Sequence, residues 1–166
     1  MKTKKIVLLG ILLALNIVIS SAYIQVGPNL RIYFTFIITM FIATLYDYPT
    51  CLIYAIVEDI LSFFIFPSGS FFFGYTLTAA LGISIYWLFL HKNVNFKNII
   101  ISKFCVNLFV NVLLGSLWSY MLYSKGYYYY FSSSIVKNML LFPIESIIFY
   151  FAYKFLDPLA KRYNLK

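Results

Sequence analysis

The chain has 166 residues, of which 63% are hydrophobic and only 11% charged, and it carries a net charge of +8. Soluble domains are roughly half apolar and a quarter charged, so this composition excludes a soluble fold. The basic residues stand mostly in short segments at the ends of apolar runs, a pattern that sets membrane topology and does not indicate a nucleic-acid partner. With a mean hydropathy of +0.87, the sequence predicts an integral membrane protein surrounded by the lipid bilayer.

Six apolar runs predict helices that cross, or nearly cross, a hydrocarbon core of about 30 Å. In chain order they are Ile6 to Ala22, Ile32 to Tyr46, Thr50 to Phe66, Phe72 to Leu90, Ile99 to Met121 and Ser134 to Leu156. The second run is short and the Tyr48-Pro49 turn follows it, so these two helices form a hairpin whose ends need not both reach the interfaces. No repeat or linker divides the chain. We therefore predict one domain over residues 1–166, a compact all-α bundle of six transmembrane helices.

The basic residues orient this bundle. Ten of the 13 fall on one side of the six-helix topology, the side that holds both chain ends, namely Lys2, Lys4, Lys5, Lys92, Lys97, Lys103, Lys154, Lys161, Arg162 and Lys166. The opposite side holds Arg31, Lys125 and Lys137. Because cations collect on the cytoplasmic side, we predict that both termini are cytoplasmic, in a multi-pass protein of a bacterial plasma membrane.

The N-terminus has a second interpretation. Its lysines, its apolar run and Ser20-Ser21-Ala22 also fit a cleavable secretory signal, whose removal would leave five spans. We favour a first helix because Gly10 and Ala14 form a small-xxx-small pair, which allows another helix to approach closely. That pair suits packing inside this bundle or contact with a second protein, and the residues alone leave both open.

Motifs for catalysis and ATP hydrolysis are absent. The chain contains no GxxxxGK[ST], HExxH or GxSxG sequence, and its only histidine is His91. Cys51 and Cys105 form no CxxC pair, so neither a disulfide framework nor a metal site is indicated. We predict that the protein is not an enzyme and uses no cofactor, and that any active transport draws energy from a partner or an ion gradient.

Polar side chains inside the predicted spans are few, and each is a candidate functional residue because burial in hydrocarbon is costly. They are Glu58, Asp59, Asn107, Asn111, Lys137, Asn138 and Glu145. One interpretation is hydrogen bonding between helices, with Glu145 or Asp59 paired to Lys137. The other is a ligand site, which we favour in the outer half of the bundle, where charged and aromatic groups share one depth. These groups are Arg31, Asp59, the 67–75 segment, Trp118 and Lys137.

A pocket built from these groups would be aromatic and carry both signs of charge. Its rings can stack on a flat ligand, since aromatic faces favour offset stacking, and the candidates are Phe34, Phe73, Tyr75 and Trp118. Arg31 and Lys137 can bind carboxylates, and Asp59 can accept paired N–H donors from a heterocycle. Together these groups suit a planar, nitrogen-rich, anionic vitamin.

The order of these features resembles the S components of energy-coupling factor (ECF) vitamin transporters, and within them the folate-specific branch. The resemblance extends from Val7 to Phe155, and its segments are Asn29 to Phe36, Glu58-Asp59, Gly69 to Ala79, Leu117 to Gly126, and Val136 to Asn138 with Leu141 to Glu145. One departure is visible. The entry to the fourth helix, at 72–76, lacks the proline of the family's Phe-Pro-Gly-Phe-Thr-like motif.

The resemblance implies a six-helix binding protein that captures folate, or a close pterin vitamin, from outside and has no ATPase of its own. It implies a membrane T component and two cytoplasmic ATPase subunits as partners, with Gly10 and Ala14 contacting the T component. S components are thought to topple within the membrane, carrying the occupied site toward the cytoplasm. Gly74, from a matching segment, and Asn111 complete the candidate ligand-binding set.

The sequence is also compatible with other functions. An ion-coupled carrier that works alone could use Glu58, Asp59 and Glu145 as proton sites. An S component for another vitamin, such as riboflavin or pantothenate, would share the architecture, whereas the basic groups argue against thiamine. The missing catalytic motifs disfavour a small membrane enzyme or an assembly factor.

Overall fold

The computed structural model describes residues 2–27, 30–67, 71–123 and 125–162 of the chain. Its elements are α1 (Lys2–Ser21), β1 (Tyr23–Gly27), β2 (Leu30–Tyr33), α2 (Phe36–Leu45), α3 (Tyr48–Ile65), α4 (Phe73–Leu90), α5 (Phe96–Cys105), a π-helical segment (Val106–Leu114), α6 (Gly115–Leu122) and α7 (Tyr127–Arg162). Helix α5, the π segment and α6 follow one another without a break. The described residues thus form six helical membrane segments, and the predicted all-α membrane bundle is confirmed apart from one short hairpin.

Five of these segments are long and apolar enough to cross a bilayer. They are Thr3–Ser21, Tyr48–Ile65, Phe73–Leu90, Phe96–Leu122 and Tyr127–Pro158. The sixth, α2, has ten residues and therefore spans about 15 Å, about half of the hydrocarbon core. The second predicted span consequently does not cross the membrane by its helix alone.

Helix α2 lies at the centre of the bundle. Met40, Ile42 and Ala43 have no exposed surface, and most of the other α2 side chains are buried too. A helix that is apolar on every side requires neighbours on every side. The surrounding helices supply them, so α2 forms the core on which the rest of the bundle packs.

A β-hairpin precedes α2, where the sequence predicts the start of the second span at Ile32. Ile32 and Tyr33 belong to β2 instead, and Tyr23 pairs with Tyr33 across the hairpin, with ring centroids 5.8 Å apart. On either side of a Gly-Pro-Asn sequence, β-branched and other apolar residues flank the polar Gln25 and Arg31, a pattern that favours strands and a turn over a helix. The start of the predicted second span is therefore wrong by four residues, since the helix begins at Phe36.

Helix α7 is longer than the sequence predicts. It begins at Tyr127, seven residues before the expected Ser134, and its 36 residues give a length of about 54 Å. That length exceeds the thickness of the hydrocarbon core, so part of the helix lies outside it.

The start of α1 and the last turns of α7 lie at the same end of the bundle. The Tyr46 hydroxyl, at the end of α2, donates to the Lys5 carbonyl near the start of α1 at 2.7 Å. The Trp87 indole N–H near the end of α4 donates to the Tyr46 carbonyl at 3.1 Å. Phe96, which begins α5, packs on Tyr150 of α7 with ring centroids 5.2 Å apart. We call this the inner end, and the end with the hairpin the outer end.

Candidate ligand-binding site

A cavity of about 1140 Å³ runs into the bundle from the outer end. Every membrane segment contributes to its wall, and the exposed side chains around its mouth include Tyr23, Tyr33, Tyr75 and Tyr123. Small-molecule sites typically have volumes of roughly 300–1,000 Å³ and combine apolar walls with a few polar groups. The cavity is therefore large enough for an elongated ligand of drug size.

Two carboxylates of α3 face this cavity. Asp59 accepts a hydrogen bond from the Thr76 hydroxyl of α4 at its Oδ2 atom, with a distance of 2.6 Å. Glu58 accepts one from the Ser62 hydroxyl at 3.1 Å. Both acids line the cavity. The hydrogen bond from Thr76 orients the Asp59 carboxylate. No described residue donates to the other oxygen of Asp59, Oδ1. Asp59 can therefore accept a hydrogen bond from a ligand.

An aromatic group forms one side of the outer half. The Phe72 ring lines the cavity and lies 5.4 Å from the Trp118 ring and 5.9 Å from the Tyr75 ring. The Trp118 indole N–H donates to Thr78 Oγ1 at 3.0 Å, and that hydroxyl donates to the Gly74 carbonyl at 2.9 Å. Trp118 therefore packs behind Phe72, outside the cavity, and fixes the position of the Phe72 ring. Phe72 and Tyr75 line the cavity.

Gly74 makes this packing possible. A Cβ atom at this position would overlap the Phe72 ring and lie 2.9 Å from the Trp118 ring. Real Cβ atoms do not approach other atoms so closely, so glycine is required while both rings stay in place. Gly74 therefore supports the aromatic wall without lining the cavity itself.

Two of the predicted aromatic contacts lie elsewhere. Phe34 is half-buried and packs against the hydrophobic core around α2. Phe73 is 76% exposed, and its ring centroid lies 5.1 Å from that of Phe71. Neither side chain is part of the cavity wall, which Phe36, Phe63, Phe71 and Phe72 line instead.

The asparagines of the fifth span and α7 form one network. Asn111 donates to Asn107 Oδ1 at 3.1 Å and to Asn138 Oδ1 at 3.4 Å, and Asn107 lies 3.5 Å from the Asn138 carbonyl. Asn107 and Asn138 are buried, whereas Asn111 is half-buried and lines the cavity. The π segment carries both Asn107 and Asn111, and π-helical turns often occur at functional sites. The network thus joins two helices and still offers a polar surface to a ligand.

The cationic candidates divide between described and undescribed side chains. Lys137 lines the cavity on α7, on the same wall as Asn138. Arg31 lies in β2 with its backbone paired to Gln25, and its side chain lies outside the described part of the structure. The structure therefore brings Asp59, Tyr75, Asn111 and Lys137 to one cavity, with Gly74 and Trp118 directly behind its wall.

A buried ion pair closes the inner end of the cavity. Lys103 of α5 lies 3.1 Å from Glu145 of α7, and their side chains are 4% and 12% exposed. Lys103 is therefore not one of the cytoplasmic surface cations, and the orientation rests on the nine that remain on that side. Glu145 pairs with Lys103 and Asp59 accepts from Thr76, so both acids make bonds to other helices, as the interpretation of polar contacts between helices expects.

The sequence contains a signal for this pair. Lys103, Asn107 and Asn111 are spaced four residues apart, which places them on one face of a helix. A lysine in line with two interior amides indicates a helix that is already inside the bundle at Lys103. This shared helix face was missed because Lys103 was grouped with the cytoplasmic lysines Lys92 and Lys97.

Helix α1 carries a second surface of interest. Gly10 and Ala14 are both exposed, and nothing lies within 4 Å of a Cβ atom built on Gly10. The exposed side chains of α1 also include Val7, Ile11 and Val18, while Asn16 and Ile17 are buried toward the bundle. Among the described residues, no helix of this bundle therefore packs closely on the Gly10/Ala14 pair.

Known proteins are similar to this chain over most of its length. No family model matches it. The chain is 29% identical over 159 residues to the folate transporter FolT of Clostridium novyi, covering 95% of this chain and 92% of that protein. It is 31% identical over 157 residues to the folate transporter FolT of Leuconostoc mesenteroides, covering 90% of this chain and 84% of that protein. A crystal structure of FolT bound with folic acid matches with a TM-score of 0.82 and 28% identity, over 92% of each chain.

Proposed function

This chain belongs to the FolT family of folate transporters, and from that premise we propose that it is the folate-binding S component of an ECF-type importer. It is a multi-pass membrane protein, and the proposal places it in the plasma membrane of a bacterium. In this function it captures folate, or a close pterin vitamin, on the outer side. The proposal includes no catalytic step.

The observation that carries the proposal is the polar and aromatic cavity within an apolar bundle. It joins a carboxylate on α3, a lysine and an asparagine network on α7 and the π segment, and an aromatic wall on α4. Such groups are costly inside a membrane unless they serve a ligand or a structural network. In the proposal Lys137 and Arg31 bind carboxylates, Asp59 and Asn111 hydrogen-bond the ligand, and Tyr75 stacks, with Gly74 and Trp118 supporting that wall.

The exposed face of α1 supports the proposed assembly. Gly10 and Ala14 offer a strip without bulky side chains in which a second membrane helix can lie close to the backbone. We assign this strip to the T component, which would connect the chain to two ATPase subunits. That division of labour agrees with the lack of a phosphate-binding loop in the sequence.

An autonomous ion-coupled carrier is less well supported. Proton sites need carboxyl groups that gain and lose a proton during transport. Glu145 is held by the Lys103 ammonium, and Asp59 and Glu58 each accept a hydroxyl hydrogen bond. Glu145 is therefore held as a carboxylate by a cation, and it is this acid that disfavours ion coupling.

Ligand titration tests the proposed function. Purified protein in detergent is titrated with folate while tryptophan fluorescence is followed, and we expect saturation below about 1 μM. The chain has two tryptophans, so Trp87→Phe should keep the quenching and Trp118→Phe should abolish most of it. Arg31→Ala should weaken binding by about 2 kcal/mol if Arg31 meets a desolvated carboxylate. No saturable response with folate would remove the folate assignment.

A further inference from the structure

A second, smaller cavity of about 260 Å³ lies at the inner end of the bundle, between α7 and the start of α5. Its α7 wall is one helix face, since Tyr150, Lys154 and Asp157 follow one another about one turn apart. Val94 and Ile99 line the opposite wall. The cavity thus combines apolar surface with the side chain of a lysine.

This inner cavity lies at the edge of the apolar spans. The span of α7 ends at Pro158, and the span that contains α5 begins at Phe96. Lys154 precedes Pro158 by four residues, or about 6 Å along the helix. A lysine so close to the end of a span extends its ammonium toward the lipid headgroups while its carbon chain stays against apolar surface.

The charge available at the inner cavity is positive. Lys154 and Lys97 of α5 are exposed, and no described residue forms an ion pair or a hydrogen bond with either ammonium. The Asp157 carboxylate accepts from the Tyr153 hydroxyl at 2.7 Å and pairs with Lys161 at 2.6 Å. Because Lys161 balances the charge of Asp157, Lys154 stays available to an anion from outside the chain.

Hydrogen bonds hold the wall opposite α7 in place. The Asn98 side chain donates to the Phe89 carbonyl at 3.1 Å and to the Asn93 carbonyl at 2.8 Å. The Asn98 backbone N–H donates to Asn95 Oδ1 at 2.7 Å. Val94 lies between these anchored residues. The inner cavity is therefore preformed, which lowers the entropic cost of binding.

An aromatic seam between α5 and α7 continues from the inner cavity toward the outer end. Phe96 packs on Tyr150 with ring centroids 5.2 Å apart, and Phe104 packs on Phe142 with centroids 6.0 Å apart. The two contacts are eight residues apart on each helix, or about 12 Å. Phe96 and Phe104 are exposed within membrane spans, so the seam faces lipid chains.

We propose that the inner cavity and the aromatic seam bind an anionic phospholipid from the leaflet at the inner end. The phosphate pairs with Lys154, with Lys97 beside it, and one acyl chain lies along the seam. A lipid supplies both the negative charge and the apolar chain that this surface fits, whereas free phosphate supplies the charge alone. The site is separate from the ligand cavity and does not rest on the proposed function.

Native mass spectrometry of the purified full chain in detergent tests the site. Dioleoylphosphatidylglycerol, dioleoylphosphatidylcholine and inorganic phosphate are titrated separately, and the affinity of the first bound lipid is compared. We expect phosphatidylglycerol to bind about fivefold more tightly than phosphatidylcholine, the factor that corresponds to one lysine beside an anionic headgroup. Excess inorganic phosphate should not displace phosphatidylglycerol, because it cannot replace the acyl chain.

Variants locate the binding. Lys154→Gln should lower the affinity for phosphatidylglycerol about fivefold and leave phosphatidylcholine unchanged, while Lys154→Arg should keep most of it. Val94→Phe fills the cavity without a change of charge and should also weaken phosphatidylglycerol. Lys92→Gln is the matched control, since Lys92 is an exposed lysine of the same end outside the cavity. Thermal unfolding without lipid checks that each variant is folded.

Three results would overturn the site. Equal weakening by Lys154→Gln and Lys92→Gln would show a diffuse attraction of lipid to the inner-end lysines. Equal affinity for the two lipids would remove the role of charge, and displacement by phosphate would assign the cavity to a free anion. Folate affinity should be the same in Lys154→Gln as in the wild type, and failure of the wild type to bind folate would leave the lipid result unchanged.

Discussion

Gly74 tests the aromatic wall at the scale of a single residue. We expect Gly74→Ala to lower the stability of the protein by about 1–3 kcal/mol, because the new methyl group overlaps rings that have little room to move. The Phe72 and Trp118 rings are the atoms it would meet. The midpoint of thermal unfolding in detergent measures the change.

Gly82→Ala is the matched control for this substitution. Gly82 is also a buried glycine of α4, but nothing lies within 4 Å of a Cβ atom built on it. Alanine favours a helix over glycine by up to about 1 kcal/mol, so this variant should be as stable as the wild type or more so. Equal destabilisation by both substitutions would show that the wall is not what requires Gly74.

Lys137 tests the anion contact. We expect Lys137→Met to weaken folate binding about 30-fold, or ~2 kcal/mol, because a charged partner for a carboxylate is lost while most of the side-chain volume stays. Calorimetric titration with folate measures the change. Lys125→Met is the control, since Lys125 lies outside the cavity and contacts Tyr129 with its ammonium 4.2 Å from the ring centroid. An unchanged affinity in Lys137→Met would exclude the lysine from the anion site.

The sequence predicted which single residues line the cavity where the prediction rested on the free-energy cost of burying a polar side chain in hydrocarbon. A carboxylate, an amide or a cation in an apolar run stands out, and Asp59, Asn111 and Lys137 all line one cavity. The sequence did not predict which aromatic rings face the cavity. The chain contains 18 phenylalanines, and lipid contact, core packing and ligand contact all favour the same side chain. Phe73 faces away from the cavity while its neighbour Phe72 lines it.

At the scale of elements, α1 presents opposite faces to two environments. Asn16 and Ile17 are buried, and Gly10 and Ala14 are exposed. A helix of this kind can serve a partner without changing the cavity, since different residues perform the two tasks. Ligand binding and assembly should therefore be separable by mutation.

Replacing the small residues of α1 tests that separation. We expect Gly10→Leu and Ala14→Leu to leave folate affinity within about twofold of the wild type, well under the 1.4 kcal/mol of a tenfold change, while co-purification with the T component is lost. The larger side chains would hold the partner helix away from the backbone. Val136→Leu, an exposed position on α7, should affect neither measurement. Full co-purification of both α1 variants would show that this strip is not the contact.

The apolar pattern of the sequence predicts some structural elements and misses others. Apolar runs predicted the long helices well, because hydrocarbon requires about 20 apolar residues per crossing. The β-hairpin was missed because Ile32 and Tyr33 are as apolar as the helix that follows them. The π segment, which carries Asn107 and Asn111, was missed because a shift of the helical hydrogen bonds from i+4 to i+5 leaves no mark in the apolar pattern of the sequence.

At the scale of the whole molecule, the cavity and the α1 strip are separate surfaces with different proposed roles, ligand binding and contact with a partner. The cavity opens at the outer end, where the hairpin and the mouth tyrosines lie, and the strip lies along the outside of the bundle. In the proposed function the chain binds its ligand at the cavity, and the partner that contacts the strip makes transport directional.

Reconstitution tests this division of labour. In proteoliposomes, we expect the chain alone to accumulate no folate, even under a pH gradient, because Glu145 is held as a carboxylate by Lys103 and the proposed function takes its energy from the ATPase subunits. With the T component, the ATPase subunits and ATP inside the vesicles, folate should accumulate, and a non-hydrolysable ATP analogue should not replace ATP. Radiolabelled folate retained by the vesicles measures uptake, with empty liposomes as the blank. Accumulation by the chain alone under a pH gradient would instead assign the buried acids to proton coupling and leave the α1 strip without its proposed role.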